Sequence, residues 1–387
     1  MATILKAGQL FTPLRRVEQP LVFIEDGQIT EITSAAHREI PGQARVFDFA
    51  NRVFAPGFVD MHVHGGAGHD VMESTPEALP AIEQLLYRHG VTTYFPTTIT
   101  ASSTSTIEAL SRLADAIEAH GKNHTKERAR PAGIHLEGPF ISRVRPGVHP
   151  VADLIAPGLQ AFEQFWEASR GHIKVLTIAP ELEGARQLIS EAARRGVCVS
   201  MGHSDADLQE TQAGIAAGAR HTTHTFNAMR PLEHRDPGIT GVALADDRLS
   251  AEIIADGVHV DPLMVRLFLR AKGVDLAVLV TDGTAATGMP DGQYRLGSLL
   301  VEVKDGKCLS HGRLAGSILT VDQAVRNVMK FANWDLQSAV RLATLNPART
   351  TGLAGGVGTL AEGASADLVV LSDQGEVVQT IVRGQLA

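Results

Sequence analysis

The stretch GFVDMHVHGG, residues 57–66, carries two histidines one residue apart in an apolar run. Side chains alternate along a strand, so His62 and His64 share one face while Met61 and Val63 take the other. Two imidazoles side by side make either a polar strand end or half of a metal site. The rest of the chain decides between them. It holds 16 histidines, and several ligand-type residues close apolar, strand-like runs in the same way. Glu137 does so in HLEGP, His203 in SMGHSD, His224 in HTTHTFNAM and Asp282 in LVTDG. The four histidines His62, His64, His203 and His224 with the carboxylates Glu137 and Asp282 suit a borderline divalent cation such as zinc or ferrous iron. The set is large enough for one ion, or for two sharing Glu137. A metal there would let a water ionise near neutral pH. Asp282 beside it could take the water's proton and pass it to a leaving group. The chemistry this predicts is metal-assisted hydrolysis.

Other residues are assigned more modest parts. His135 shares a strand face with Glu137 and is read as a packed core residue. His221 lies three positions before His224, points elsewhere in a strand and is left out of the site. His149, in RPGVHP, and His259, in DGVHV, fall on loops leaving the same rim, where either could touch a substrate. Arg143, Arg145, Arg230 and Arg235 fall on rim loops too, and guanidinium is the best fork for phosphate oxygens.

These residues need a scaffold that brings remote segments to one place. From about residue 54, strand-like runs alternate with amphipathic helical stretches. The strands are GFVDMHVH, VTTYFPTTI, AGIHLEG, IKVLTIAP, VCVSMGH, RHTTHTF, LSAEIIAD and LAVLVTD. Helices are predicted over 76–89, with Thr75 as N-cap and Gly90 as stop, and over 185–195 and 207–217, each ended by glycine. Such alternation implies parallel strands joined by helical crossovers. Eight units over roughly 230 residues match a closed (β/α)8 TIM-type barrel, for which about 250 residues is typical. A doubly wound open sheet is the main rival, and no G-x-G-x-x-G follows the first strand to favour it. In a barrel the ends of the strands form one rim, and all six candidate ligands sit there. After the eighth strand, helices are expected over 321–332 and 336–345. TILKAGQLFT, LVFIEDGQITEI and ARVFDFANRVF near the start, and GTLAEGASADLVVLSDQGEVVQTIVRGQLA at the end, read as short strands with Gly turns. They are expected to pair into one small discontinuous β-sandwich domain, residues 1–53 with 358–387, flanking a barrel over 54–357.

The totals set limits. The 387 residues include 43 acidic and 35 basic ones, a formal net charge of -8. That argues against a nucleic-acid or anionic-membrane surface. The two cysteines, Cys198 and Cys308, make neither a disulfide framework nor a zinc site and fit a reducing, cytoplasmic setting. No secretory leader is apparent in MATILKAGQLFTPLRR, and no apolar run approaches about 18 residues.

Taken together, APGFVDMHVHGGAG, HLEGPF followed by PGVHP, APE, GHSDA, THTFNAMRPLEHRDPG, ADGVHV, VTDG, RLAGS and TLNPA resemble the amidohydrolase superfamily. Within it they resemble the enzymes that deacetylate N-acetylglucosamine 6-phosphate. The His-x-His is shared widely in the superfamily; HLEGPF, THTFNAM and ADGVH are specific to the deacetylases. The resemblance implies that Glu137, His203 and His224 are the principal metal ligands, and that His62 and His64 belong to the form able to hold a second ion. Glu137 makes a bridging lysine at Lys174 unnecessary. Asp282 matches the catalytic acid/base, and His149 the residue polarising the acetamide carbonyl. Asn227, Ala228 and His259 match contacts to the sugar phosphate. Val148 and the run Leu314, Ala315, Gly316 match further substrate contacts, made mostly through backbone. Arg235 matches an arginine that reaches the neighbouring subunit's phosphate, which implies a homodimer. The loop 141–147, ISRVRPG, has fewer lysines than the resemblance leads one to expect. The expected reaction is hydrolysis of N-acetyl-D-glucosamine 6-phosphate to glucosamine 6-phosphate and acetate, in amino-sugar catabolism. Alternatives are the galactosamine epimer, a different amidohydrolase acting on a cyclic amide or a base, and a non-catalytic metal-binding scaffold.

Overall fold

The computed structural model describes residues 3–122 and 127–386. The eight predicted runs form β1 (Phe58–Val63), β2 (Val91–Thr98), β3 (Ile134–Glu137), β4 (Ile173–Ile178), β5 (Cys198–Met201), β6 (His221–Thr222), β7 (Ser250–Ile253) and β8 (Ala277–Leu279). Neighbours in the chain pair in parallel all the way round. The circle closes where Val63 bridges Gly283 and the Asp282 N–H donates to the His62 carbonyl at 2.9 Å. This is a TIM-type barrel. Helices cover the outer faces, so β1 and β2 are buried along their whole length. The outer layer is apolar, with Phe58, Tyr94, Leu176 and Phe268 all fully buried. Inside, below the rim, the packing is polar. Buried bonds run from His135 to Thr177 (2.8 Å), Thr177 to Thr223 (2.8 Å) and Thr223 to Ser200 (2.6 Å). A ladder of this kind leaves few unsatisfied groups and fixes each member's orientation.

The helices follow the expected periodicity, with local differences. The first runs Ala78–Arg88, later than the predicted start; its N-cap is Glu77, without a side-chain bond. Thr75 does not cap it, because its hydroxyl is engaged by the Glu73 carboxylate. The helix Leu208–Ala217 opens on a capping box between Asp207 and Glu210, with bonds of 2.8 and 2.9 Å. The stretch predicted as one helix over 336–345 is two, Leu336–Leu342 and Leu345–Thr350. Pro347 lies in the first turn of the second; it has no N–H to continue the first helix and its ring would clash with the preceding turn.

The strands near both ends of the chain build two sheets of a sandwich. One is ordered Gln28–Ser34, Pro20–Glu25, Thr3–Lys6, Arg45–Asp48; the other Val377–Ile381, Leu368–Leu371, Val53–Pro56, Gln9–Phe11, Arg16–Glu18. Leu368–Leu371 runs antiparallel to Val53–Pro56, so the early and late segments share one sheet. Leu5, Leu10, Val22, Phe54, Leu368 and Val370 fill the space between the sheets. Residues 1, 2 and 387, within the bounds expected for this unit, lie outside the described residues.

One element has no counterpart in the sequence expectations. After β8, the strands Gly292–Leu296, Leu299–Lys304, Lys307–Ser310 and Arg313–Leu314 form an antiparallel sheet beside the barrel mouth. Leu296, Val301, Val303 and Cys308 pack there against Ile99 and Ala286. Its signal was present as tight turns at Gly297, Gly306 and Gly312, all with positive φ. Burial pushes the Cys308 thiol up to about 11, as an unreactive core residue.

Candidate metal centre

The rim collects the six predicted ligands. His62 lies within the last residues of β1 and His64 just after it; Glu137 ends β3. His203, His224 and Asp282 follow β5, β6 and β8, with φ of 47°, 24° and 50°. Side chains rarely adopt this left-handed backbone, which costs on the order of 1–3 kcal/mol and persists where surrounding contacts enforce it. Here it turns each side chain back over the barrel axis.

Glu137 is the hub. Its Oε1 lies 3.4 Å from His62 Nε2, 3.4 Å from His203 Nε2 and 3.2 Å from His224 Nε2. Its Oε2 lies 3.2 Å from His64 Nε2 and 3.3 Å from His149 Nε2. Asp282 Oδ1 is 3.2 Å from His64 Nε2 and 3.6 Å from His62 Nε2. All seven residues are buried; Asp282, the most open, is 8% exposed.

The ring nitrogens facing away show what the centre is built to hold. His64 Nδ1–H donates to the Thr97 carbonyl at 2.9 Å, and His203 Nδ1–H to the Arg145 carbonyl at 3.1 Å. His62 Nδ1–H donates to Glu252 Oε2 at 3.0 Å. With a proton fixed on Nδ1, each ring turns its Nε2 inward, and giving up the Nε2 proton to a cation yields the ligating form. His62 and His64 then face each other Nε2 to Nε2 at 3.3 Å, and His203 and His224 at 3.0 Å. His224 Nδ1 is buried without a hydrogen-bond partner, so its outer side anchors nothing. A divalent cation satisfies converging lone pairs and carboxylates of this kind, and the donor set fits one. Two groups, His62–His64–Asp282 and Glu137–His149–His203, each bring ligand atoms within 4.8 Å of one another.

The acids of the centre draw protons onto the rings: burial would lower both, but Glu137 and Glu252 hold His62 well above its usual value, and Asp282 and Glu137 raise His64 to about 9. Burial alone would raise the Glu137 carboxyl, but His62 and the bonds from His149, His203 and His224 hold it well below the usual range. Asp282 is likewise raised by burial and lowered more by His64, His62 and His224. Burial, with His62 nearby, pushes His135 down to about 3, so it is neutral. Its ring packs edge-on against His62, with centroids 4.5 Å apart, and its bonds go to the Met61 carbonyl and Thr177. His149 differs from the ligands: the Thr100 N–H donates to its Nδ1 at 3.3 Å, and the Thr100 hydroxyl lies 2.8 Å from the same atom. That leaves the proton on Nε2, as a hydrogen-bond donor facing the centre.

A cavity of about 130 Å³ opens over the ligands. Val148, Asn227, Ala228, His259, Leu314 and Gly316 line it, as expected for substrate contacts, together with Ile99 and Leu296. Ala315 is not among the lining residues, and its side chain is buried in the inserted sheet's core, which leaves only its backbone for the contact the resemblance implies. Gly316, at φ 57°, lies so close to Asp282 that a Cβ would sit 2.9 Å from its carbonyl oxygen. His259 is aimed by Asp256, which accepts from its Nδ1 at 2.7 Å and its N–H at 2.8 Å. Larger hollows of about 740 and 560 Å³ lie away from the centre, around Arg112 and its neighbours, without a converging ligand set.

Three of the four rim arginines have partners within the protein. Arg143 donates to the Val151 and Leu154 carbonyls, both at 2.8 Å, bracing the loop that carries His149. Arg145 pairs with Asp205 at 2.7 Å, and Arg230 with Asp236. Arg235 is exposed, does not line the cavity and has no hydrogen-bond or ion-pair partner among the described residues. Lys174 sits at the opening end of β4, at the opposite mouth from the ligands.

Two residues escaped the sequence reading. Thr100, just past β2, orients His149. Glu252, in β7, is fully buried behind His62; its signal was an acid in the middle of the apolar run LSAEIIA.

Residues 53–387 match the model of the amidohydrolase family. The chain is 36% identical over 375 residues to an N-acetylglucosamine-6-phosphate deacetylase of Lysinibacillus sphaericus, covering 96% of this chain and 94% of that protein. It is 36% identical over 388 residues to an N-acetylgalactosamine-6-phosphate deacetylase of Escherichia coli O157:H7, covering 100% of each. A solved structure of a mutant N-acetyl-D-glucosamine-6-phosphate deacetylase from Mycobacterium smegmatis, in complex with N-acetyl-D-glucosamine-6-phosphate, superposes with a TM-score of 0.91 at 34% identity. It covers 100% of this chain and 99% of that one.

Proposed function

Since the chain belongs to the amidohydrolase family, we propose that it hydrolyses N-acetyl-D-glucosamine 6-phosphate to glucosamine 6-phosphate and acetate, in amino-sugar catabolism. The observation that carries this is the convergence of the His62, His64, His203 and His224 Nε2 atoms on Glu137 and Asp282 at the base of a cavity. His62, His64, Glu137, His203, His224 and Asp282 would hold one or two ions, zinc or ferrous iron. A bound divalent cation supplies Lewis acidity toward the amide carbonyl and lowers the pKa of water to about 7.

The protein's own groups do the rest. Asp282, held ionised at the centre's open edge, accepts the proton of the attacking water and delivers it to the departing amine. His149 donates its Nε2 proton to the carbonyl oxygen as negative charge develops there. The Asn227–Ala228 turn and His259 receive the sugar phosphate, while Val148, Leu314 and Gly316 confine the ring. Arg235, with its guanidinium unengaged, reaches the phosphate in the site of a second copy, making the working unit a homodimer. Residues 54–357 form the catalytic unit and 1–53 with 358–387 its β domain. The two free thiols, Cys198 and Cys308, fit a cytoplasmic enzyme.

The galactosamine epimer is a second reading, favoured by the full-length similarity to the E. coli enzyme. Acetate release from both 6-phosphates and from unphosphorylated N-acetylglucosamine tests the proposal. Turnover of a 6-phosphate with loss of rate on the free sugar is expected. Failure to release acetate from either 6-phosphate refutes it.

A further inference from the structure

Glu252 is fully buried, yet it touches neither the cavity nor the other carboxylates of the centre. Three donors converge on it. Its Oε2 accepts the His62 Nδ1–H at 3.0 Å and the His224 backbone N–H at 2.9 Å; its Oε1 accepts the His221 Nε2–H at 3.2 Å. His221 is in turn fixed by Ser250, 2.7 Å from its Nδ1. Burial alone would raise this carboxyl, but His62 and His221 hold it well below the usual range. An isolated buried carboxylate is costly, so a fully bonded one behind a ligand has a directed use.

We infer that Glu252 is the positioning residue of the metal centre: its charge fixes His62 in the ligating tautomer, and its Oε2 also holds the left-handed backbone that aims His224. This rests on the metal-dependent reading above. It also explains His221, which is not a ligand but the clamp that keeps one Glu252 oxygen free for both neighbours. Carboxylates that accept from a ligating histidine raise the ring's basicity, and their loss typically costs 10- to 100-fold in metal affinity.

The test is E252Q, which keeps shape and an acceptor oxygen but removes the charge. Wild type and variant are loaded with zinc, dialysed against a graded chelator series and assayed for retained metal by mass spectrometry. The expected result is metal release at a chelator activity roughly 10- to 100-fold lower in E252Q, with a cooperative unfolding transition showing that the metal-free variant is folded. In an H62N background, E252Q should add a smaller loss, since only its contact with the His224 backbone remains. Superimposed release curves in the otherwise wild-type chain overturn the assignment, as does an equal loss in both backgrounds. Should E252Q not fold, His221→Gln loosens the same carboxylate while keeping its charge; weaker retention supports the role and unchanged retention overturns it. An absence of acetate release by wild type strikes at the proposed reaction and leaves this metal comparison standing. A wild type that retains no metal overturns both.

Discussion

Asp282→Asn separates proton transfer from everything else the rim does. The backbone at Asp282 has φ 50°, and Asn is among the few residues that enter this region readily, whereas Ala there costs about 1–2 kcal/mol. The main-chain bonds that place the residue persist in Asn: its N–H to the His62 carbonyl at 2.9 Å, and its carbonyl to the Ser317 N–H at 2.7 Å. The amide oxygen can still face His64, 3.2 Å from the present Oδ1. The five other ligands are untouched. What disappears is a group able to accept a proton from water and hand it to the leaving nitrogen. General acid–base groups contribute about 10²- to 10⁴-fold, or roughly 3–5 kcal/mol of barrier at about 1.36 kcal/mol per tenfold. D282N should therefore lose that factor in kcat, with kcat and kcat/KM falling together, as for an interaction made only in the transition state. The assay is acetate release at saturating substrate, with metal content measured on the same sample. Near-normal turnover with metal retained would refute the role.

Three other outcomes follow from the geometry. Gly316→Ala places a Cβ against the Asp282 carbonyl at 2.9 Å and Thr284 at 2.5 Å; it should depress kcat by displacing Asp282, and kinetics equal to wild type would show that the turn yields freely. Arg235→Ala should raise KM for the 6-phosphate well above any change in kcat, read from initial-rate curves; an unchanged KM would remove Arg235 from phosphate binding. Asp322 is raised by burial but lowered more by His89, 3.0 Å away, and by Thr320 and Arg326, ending at about 2. A depressed acid stabilises the fold above its unfolded pKa of about 3.9 and loses that contribution as pH falls through the folded value. Asp322→Asn should thus cost on the order of 2 kcal/mol at pH 7, with the gap to wild type closing between about pH 4 and pH 2 in denaturant titrations; a pH-independent gap would point to packing instead.

The barrel was legible because five of its eight strands are short apolar runs closed by a residue that an apolar run does not need. His62, Glu137, His203, His224 and Asp282 stand out against Val, Ile and Leu, and parallel strands force their ends to one rim. The inserted sheet at the mouth was not legible, since its strands are short, half exposed and spaced by turns that read as loop. The helix divided at Leu342 was missed because apolar periodicity runs straight through a backbone break. The four rim arginines show a further limit. Charge and loop position place a guanidinium near an anion, but only coordinates show that Arg143 is committed to carbonyls and Arg145 and Arg230 to aspartates.

Glu252 and Thr100 mark where one-dimensional reasoning ends for a physical reason. A ligand announces itself by type and spacing, because its job is to present an atom at a strand end. A residue that fixes a ligand's tautomer does its work through a bond to a segment far away in sequence: 190 positions separate Glu252 from His62, and 49 separate Thr100 from His149. Neither separation has a period or a motif. The opposite proton placements they impose, Nδ1–H on His62 and Nε2–H on His149, sort one kind of side chain into ligand and donor. The division of labour among the histidines of this rim is therefore set one layer behind it, by groups that touch neither ion nor substrate.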